Sequence, residues 1–213
     1  DTKRLGVAGG APLSVVARMP IFYYLLIATG VLWFCITGVT QHQALYLGRD
    51  QGLDAETLGS IFSLFFTCSV IGKFLFGWLS DHFPKFLIMM VAIVNLAAGL
   101  VILRFVDGAG MTMIYVYAVV FGIGFSGAFT MIQLTIAELF TGPTYGSILG
   151  IYVAVDTIAA SAGIFALGEI RVRAESYIPA IDLMLFLSAV AMVCVFAIKR
   201  DIAQRAKQTA AMA

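Results

Sequence analysis

Of the 213 residues, 61% are hydrophobic and 12% charged, against roughly 45–50% apolar and about 25% charged in an average globular chain. So little charge would leave a soluble domain with large apolar patches in water, which makes lipid the solvent for most of this chain. The net charge of +1 gives no basic face for nucleic acid. Cys35, Cys68 and Cys194 are odd in number, lie inside apolar runs and show no close spacing with His42 and His82, which excludes a disulfide framework or a zinc site; no cofactor is expected.

A helix crosses a hydrocarbon core with about 20 mostly apolar residues, and six intervals qualify. Residues 1–17 begin with Asp and show no signal-peptide pattern, so the chain is expected to be a piece of a longer protein. The first span is predicted over residues 21–45, with Pro20 where helices start well. Near its outer end lies His42, flanked by Gln41 and Gln43, which reads as a substrate contact, a proton relay or an interfacial residue touching water. The second span covers 56–80 and is interrupted only by Lys73. The third covers 85–103, with Asn95 expected to bond a neighbouring helix, and stops at Arg104 and the turn Asp107-Gly108. The fourth covers 111–140 and contains Gln133, a candidate ligand donor or interhelical bond. Gly142-Pro143 ends it. The fifth covers 144–167 with Asp156 in its middle, and Gly142, Gly146 and Gly150 form a small-residue ridge expected to pack closely on another helix. The sixth covers 177–198, with Asp182 at the interface and Lys199-Arg200 at its end; residues 201–213 form a polar tail.

Orientation follows the distribution of Lys and Arg. With an even number of spans, Lys3, Arg4, Arg18, Lys85, Lys199, Arg200, Arg205 and Lys207 share one side, and Arg49, Arg104, Arg171 and Arg173 the other. The richer side is expected to be the cytoplasm, with both termini there.

The second and fifth spans open alike, Leu58-Gly59-Ser60-Ile61-Phe62 and Tyr145-Gly146-Ser147-Ile148-Leu149, from opposite sides of the membrane. Either Gly-Ser-Ile recurs by chance, or two three-helix units form an inverted repeat. In that register Ser69 matches Asp156. A charge at mid-bilayer costs about 2.5–3.5 kcal/mol on insertion scales, so Lys73 and Asp156 need a reason. At 1.5 Å per residue their depths differ by only about 5 Å. They either pair with each other or face a polar cavity; Lys73 alone has the further option of snorkelling to the interface. The 17 phenylalanines read as core filler or lipid-facing residues. Gly124-Phe125-Ser126-Gly127 is similar to the serine motif of rhomboid intramembrane proteases, but the sixth span lacks the histidine that such a nucleophile needs there.

The segment Gly77-Trp78-Leu79-Ser80-Asp81-His82-Phe83-Pro84-Lys85, read as the loop after the second span, resembles the loop motif of major facilitator superfamily transporters at Gly77, Leu79, Asp81 and Lys85. It departs at Pro84, where the family has glycine, and in having one basic residue. Ala17-Arg18-Met19-Pro20-Ile21-Phe22 is similar to the start of that family's seventh helix, and Ala137-Glu138-Leu139-Phe140 through Gly150 to its tenth-to-eleventh connection. The resemblance implies an all-α membrane protein of six transmembrane helices in a 3+3 inverted repeat, half of a twelve-helix fold. Residues 1–17 would be the remnant of a central cytoplasmic loop, 18–200 the six-helix domain and 201–213 a cytoplasmic tail.

Within the superfamily, the pattern is closest to the monocarboxylate and oxalate/formate-type transporters, which carry a basic residue eight positions before the motif aspartate. Lys73 stands there. The resemblance therefore implies that Lys73 contacts a substrate carboxylate, and that Gly77, Asp81 and Lys85 form a gating motif. From the residues, Asp156 is expected to balance the charge or carry a proton, with His42 and Gln133 as further cavity-wall candidates. The expected activity is transport of a small organic anion by alternating access, with a proton or a counter-anion, and not an enzymatic reaction. The expected partners are the lipid bilayer and an N-terminal six-helix half, covalent or separate. The alternatives are a cation or drug exporter of the same fold and a non-transporting six-helix scaffold.

Overall fold

The computed structural model describes residues 12–212, and side chains as far as residue 204. Lys3, Arg4, the first eleven residues of the expected central loop, and the Arg205 and Lys207 side chains lie outside that description. The elements are α1 (Leu13–Val16), α2 (Pro20–Leu45), α3 (Ala55–His82), α4 (Lys85–Arg104), α5 (Met111–Leu139), α6 (Tyr145–Ala174) and α7 (Ile178–Met212), and no strand occurs among the described residues. Helices α2 to α7 are each long and apolar enough to cross a membrane.

Local chemistry sets most helix starts. Pro20 occupies the first turn of α2, where its missing N–H costs nothing. Asp54 caps α3 by accepting the Thr57 amide at 3.1 Å, and these hydrogen bonds hold its carboxyl below the usual carboxylate range. Gly108 and Gly110, at φ +71° and +81°, turn the chain from α4 into α5.

Several ends differ from the predicted boundaries. Helix α2 does not stop at Leu45 but widens into a π-helical turn over Tyr46–Asp50. Helix α3 runs on to His82, so Gly77 to Asp81 are helical rather than a loop, and only Pro84, which disfavours helix in the residue before it, forces the break. Helix α6 continues to Ala174 with an Arg173–Glu169 pair at 2.6 Å on its surface. Helix α7 continues through the tail, because residues 199–212 are mostly strong helix formers with no Gly or Pro.

The packing has two equivalent halves. Helix α2 packs on α6 and α7, as α5 packs on α3 and α4, and α4 meets α7 across the middle. Burial follows the repeat register set by Gly59 and Gly146. Every buried residue of α6, namely Ile148, Tyr152, Asp156, Gly163 and Leu167, falls opposite a buried residue of α3, namely Ile61, Phe65, Ser69, Phe76 and Ser80. The shared Gly-Ser-Ile is thus the start of a common buried face. Glycines close the crossings: a side chain on Gly124 would strike the α4 backbone at Asn95 and Leu96, and one on Gly163 the α2 backbone at Phe34.

The Gly146–Gly150 ridge behaves otherwise. Nothing lies within 4 Å of a side chain built at either position, and Gly142, at φ +113°, belongs to the turn before α6. The expected close packing is therefore not made among the described residues. Asn95 also departs from expectation, since its buried side-chain oxygen has no hydrogen-bond partner.

Candidate functional site

Helix α6 carries Asp156 on its buried face, where α2 crosses it at Gly30. The absence of a side chain there leaves Asp156 Oδ1 only 3.9 Å from where a Cβ would stand. The residue preceding Gly30, Thr29, donates its hydroxyl to Asp156 Oδ1 at 2.8 Å. The carboxyl is 5% exposed and lines a cavity of about 440 Å³ together with Gln133, Trp33, Thr37 and Ser161, a size suited to a small molecule.

Lys73 is exposed on α3 and has no ion-pair partner among the described residues; it does not meet Asp156. Its ammonium stands 5.2 Å from the centroid of the Phe129 ring, a cation–π arrangement. Phe129 in turn meets Trp33 edge to face, with centroids 5.6 Å apart, and Trp33 lines the Asp156 cavity. Two rings thus connect the lysine to the aspartate's cavity. Phe129 departs from the expectation for the phenylalanines: it joins a charged side chain to a hollow.

Gln133 shares the cavity with Asp156; His42 does not. The His42 Nε2 lies 3.0 Å from the Ile164 carbonyl, which can only accept, so that nitrogen carries the proton. Nδ1 then accepts from the Tyr177 hydroxyl at 3.0 Å. Burial chiefly, and then Asp50, hold the Tyr177 phenol above its usual range, so it keeps the hydrogen it donates. The space beside His42 is about 20 Å³, enough for a single water. Arg171 grips Asp50 with two hydrogen bonds of 2.8 and 3.0 Å and covers the Tyr177 ring. His42 is thereby part of a tie joining the C-terminal ends of α2 and α6 to the start of α7. Arg104 makes a similar tie from α4 to Asp182 at 2.6 Å.

At the other end, Lys85 opens α4 and pairs with Glu138 of α5 at 3.1 Å. Asp81 is exposed and without a partner among the described residues, and nothing stands within 4 Å of a side chain built on Gly77. Of the motif residues only Lys85 makes a contact that a gate could break. Ser126, the serine of the protease-like tetrapeptide, is fully buried and bonded to the Ile123 carbonyl at 3.0 Å, pressed against Gly72; it serves the α3–α5 crossing.

Sequence reasoning missed Thr29, Trp33, Phe129, Tyr177 and the Asp50–Arg171 pair. Only the last left a signal, as opposite charges at the ends of predicted spans. A family model described as Major Facilitator Superfamily matches residues 25–213. No curated protein matches the chain.

Proposed function

Because the chain belongs to the major facilitator superfamily, whose members are membrane transporters, we propose that it moves a small organic anion by alternating access. The observation that carries this reading is a lysine within a transmembrane helix with no carboxylate partner among the described residues, resting on Phe129, whose neighbour Trp33 lines a cavity. An ammonium in a low-dielectric setting lacks a counter-charge until an anion supplies one. A carboxylate is the simplest such anion; one ammonium neutralises it, though without the two-pronged grip of a guanidinium.

In this reading Lys73 binds the carboxylate and Asp156, buried behind Thr29, carries the proton or balances the charge. Gln133 offers a hydrogen bond in the same cavity. The Lys85–Glu138 pair and the outer tie through His42, Tyr177, Arg171 and Asp50 are the contacts that opening each side would break. Both termini face the cytoplasm, and a second six-helix half completes the cavity.

Replacing Lys73 by Gln should abolish anion uptake by the assembled transporter in proteoliposomes, while membrane insertion and thermal stability stay unchanged because the side chain is exposed. Unaltered uptake would remove Lys73 from the mechanism. A second reading, a cation or drug exporter, draws on Asp156 lining a cavity whose lining does not include Lys73. Competition by lactate or oxalate against lipophilic cations separates the two.

A further inference from the structure

Most aromatic pairs in this protein belong to packing. Tyr117, Phe121 and Phe65 stack in sequence, and Phe22, Phe140 and Tyr152 cluster, all of them buried. Trp33 and Phe129 are different. Both are only half-buried, Phe129 carries an ammonium on its face, and Trp33 forms cavity wall.

We propose that the Trp33 ring forms a stacking wall that selects carboxylates bearing a planar apolar body, with Phe129 set edge to face beside it at 74° and Lys73 holding the carboxylate at that end. This rests on the anion reading above and sharpens it. The geometry supplies the steps. The ammonium lies 5.2 Å from the Phe129 centroid, and Trp33 lies one ring further on, at 5.6 Å. A carboxylate seated beside Lys73 therefore places a body about one ring long against Trp33. A full negative charge also attracts an ammonium more strongly than a ring quadrupole does, so anion binding draws Lys73 off the Phe129 face and bares that face for the substrate. Val153, Ala160 and Ile164 also line the cavity and offer the body further apolar surface. A two-carbon acid reaches the lysine but has nothing to lay on Trp33.

The test is equilibrium binding of radiolabelled benzoate and acetate to the assembled transporter, this chain with its second half, in detergent micelles. Benzoate is expected to bind at least about ten-fold more tightly than acetate, within the roughly 10–200-fold range that added apolar groups command in a pocket. Trp33→Ala should shrink that ratio to about three-fold or less, and Trp33→Phe should keep most of it. Lys73→Gln should lose both ligands. A Trp78→Phe variant leaves Trp33 as the sole tryptophan of this chain, and its emission should change with benzoate and not with acetate, a readout that survives if Trp33→Ala fails to fold. Equal affinity for the two acids, both abolished by Lys73→Gln, would overturn the stacking wall and leave the anion reading standing. Binding of neither acid, or indifference to Lys73→Gln, would overturn the anion reading and the wall with it.

Discussion

Lys73 and Asp156 each interrupt an apolar span, and the protein accommodates them in opposite ways. The lysine keeps its charge on the surface of the bundle, stem along α3 and ammonium on a ring. The aspartate is enclosed and receives one hydroxyl, from Thr29. A hydrogen bond to a buried carboxyl contributes about 1–3 kcal/mol, so Thr29→Val, which keeps the shape and removes the donor, should lower stability by that amount, while Thr29→Ser should not. In a double-mutant cycle with Asp156→Asn, read as melting temperatures in detergent, the two sites should couple; strictly additive effects would mean that the 2.8 Å contact carries no energy. Both charges were legible in the sequence because each interrupts a long apolar run, where a charge is expensive. Thr29, Trp33 and Phe129 were not. In a chain this apolar, one more threonine or aromatic has no contrast with its neighbours, and only the crossing of α2 with α6 and the approach of α5 give them partners.

Helix existence was legible for the same reason in reverse: charge marks the loops, so uncharged runs mark the spans. Helix ends were legible only where a residue type forbids continuation, as at Pro84, Gly108 and Gly142. They were misplaced where good helix formers carry the backbone past the last apolar residue, as in α6 and α7. The end of α6 has a testable peculiarity. Glu175 caps it at φ 54°, a left-handed conformation that costs a side-chain-bearing residue about 1–2 kcal/mol. Glycine removes that cost but loses about 0.5–1 kcal/mol of chain entropy on folding. Glu175→Gly should therefore stabilise by about 0.5–1 kcal/mol, seen as a higher melting temperature. A lower one would show that the Glu175 carboxylate contributes more than its backbone strain takes away.

The repeat makes α3 and α6 equivalent, and these two helices are the least covered of the six spans. Their outward faces match. Ser63 and Thr67 on α3, following the open Gly59, and Thr157 and Ser161 on α6, about three and four turns beyond the open Gly146, each turn the hydroxyl back onto their own helix. Small residues with satisfied hydroxyls let helices approach closely in lipid, whereas bulky apolar side chains suffice where only acyl chains are met. The same faces carry Phe74, Ile158 and Phe165, so each offers both a close-approach stripe and apolar bulk. That pairing fits the proposed second half docking along α3 and α6 and closing the cavity at Asp156. Gly146→Leu distinguishes packing within this bundle from packing against a second one. Because nothing among the described residues stands within 4 Å of a Cβ at this position, and leucine favours helix over glycine, the melting temperature of this bundle should not fall. An overpacked interface costs about 1–3 kcal/mol, so assembly with the second half, read as co-purification or as transport by the assembled protein, should weaken by about ten-fold or more. A fall in melting temperature would place the ridge inside this bundle. Unimpaired assembly would leave α6 facing lipid, and the cavity would need closing from another side.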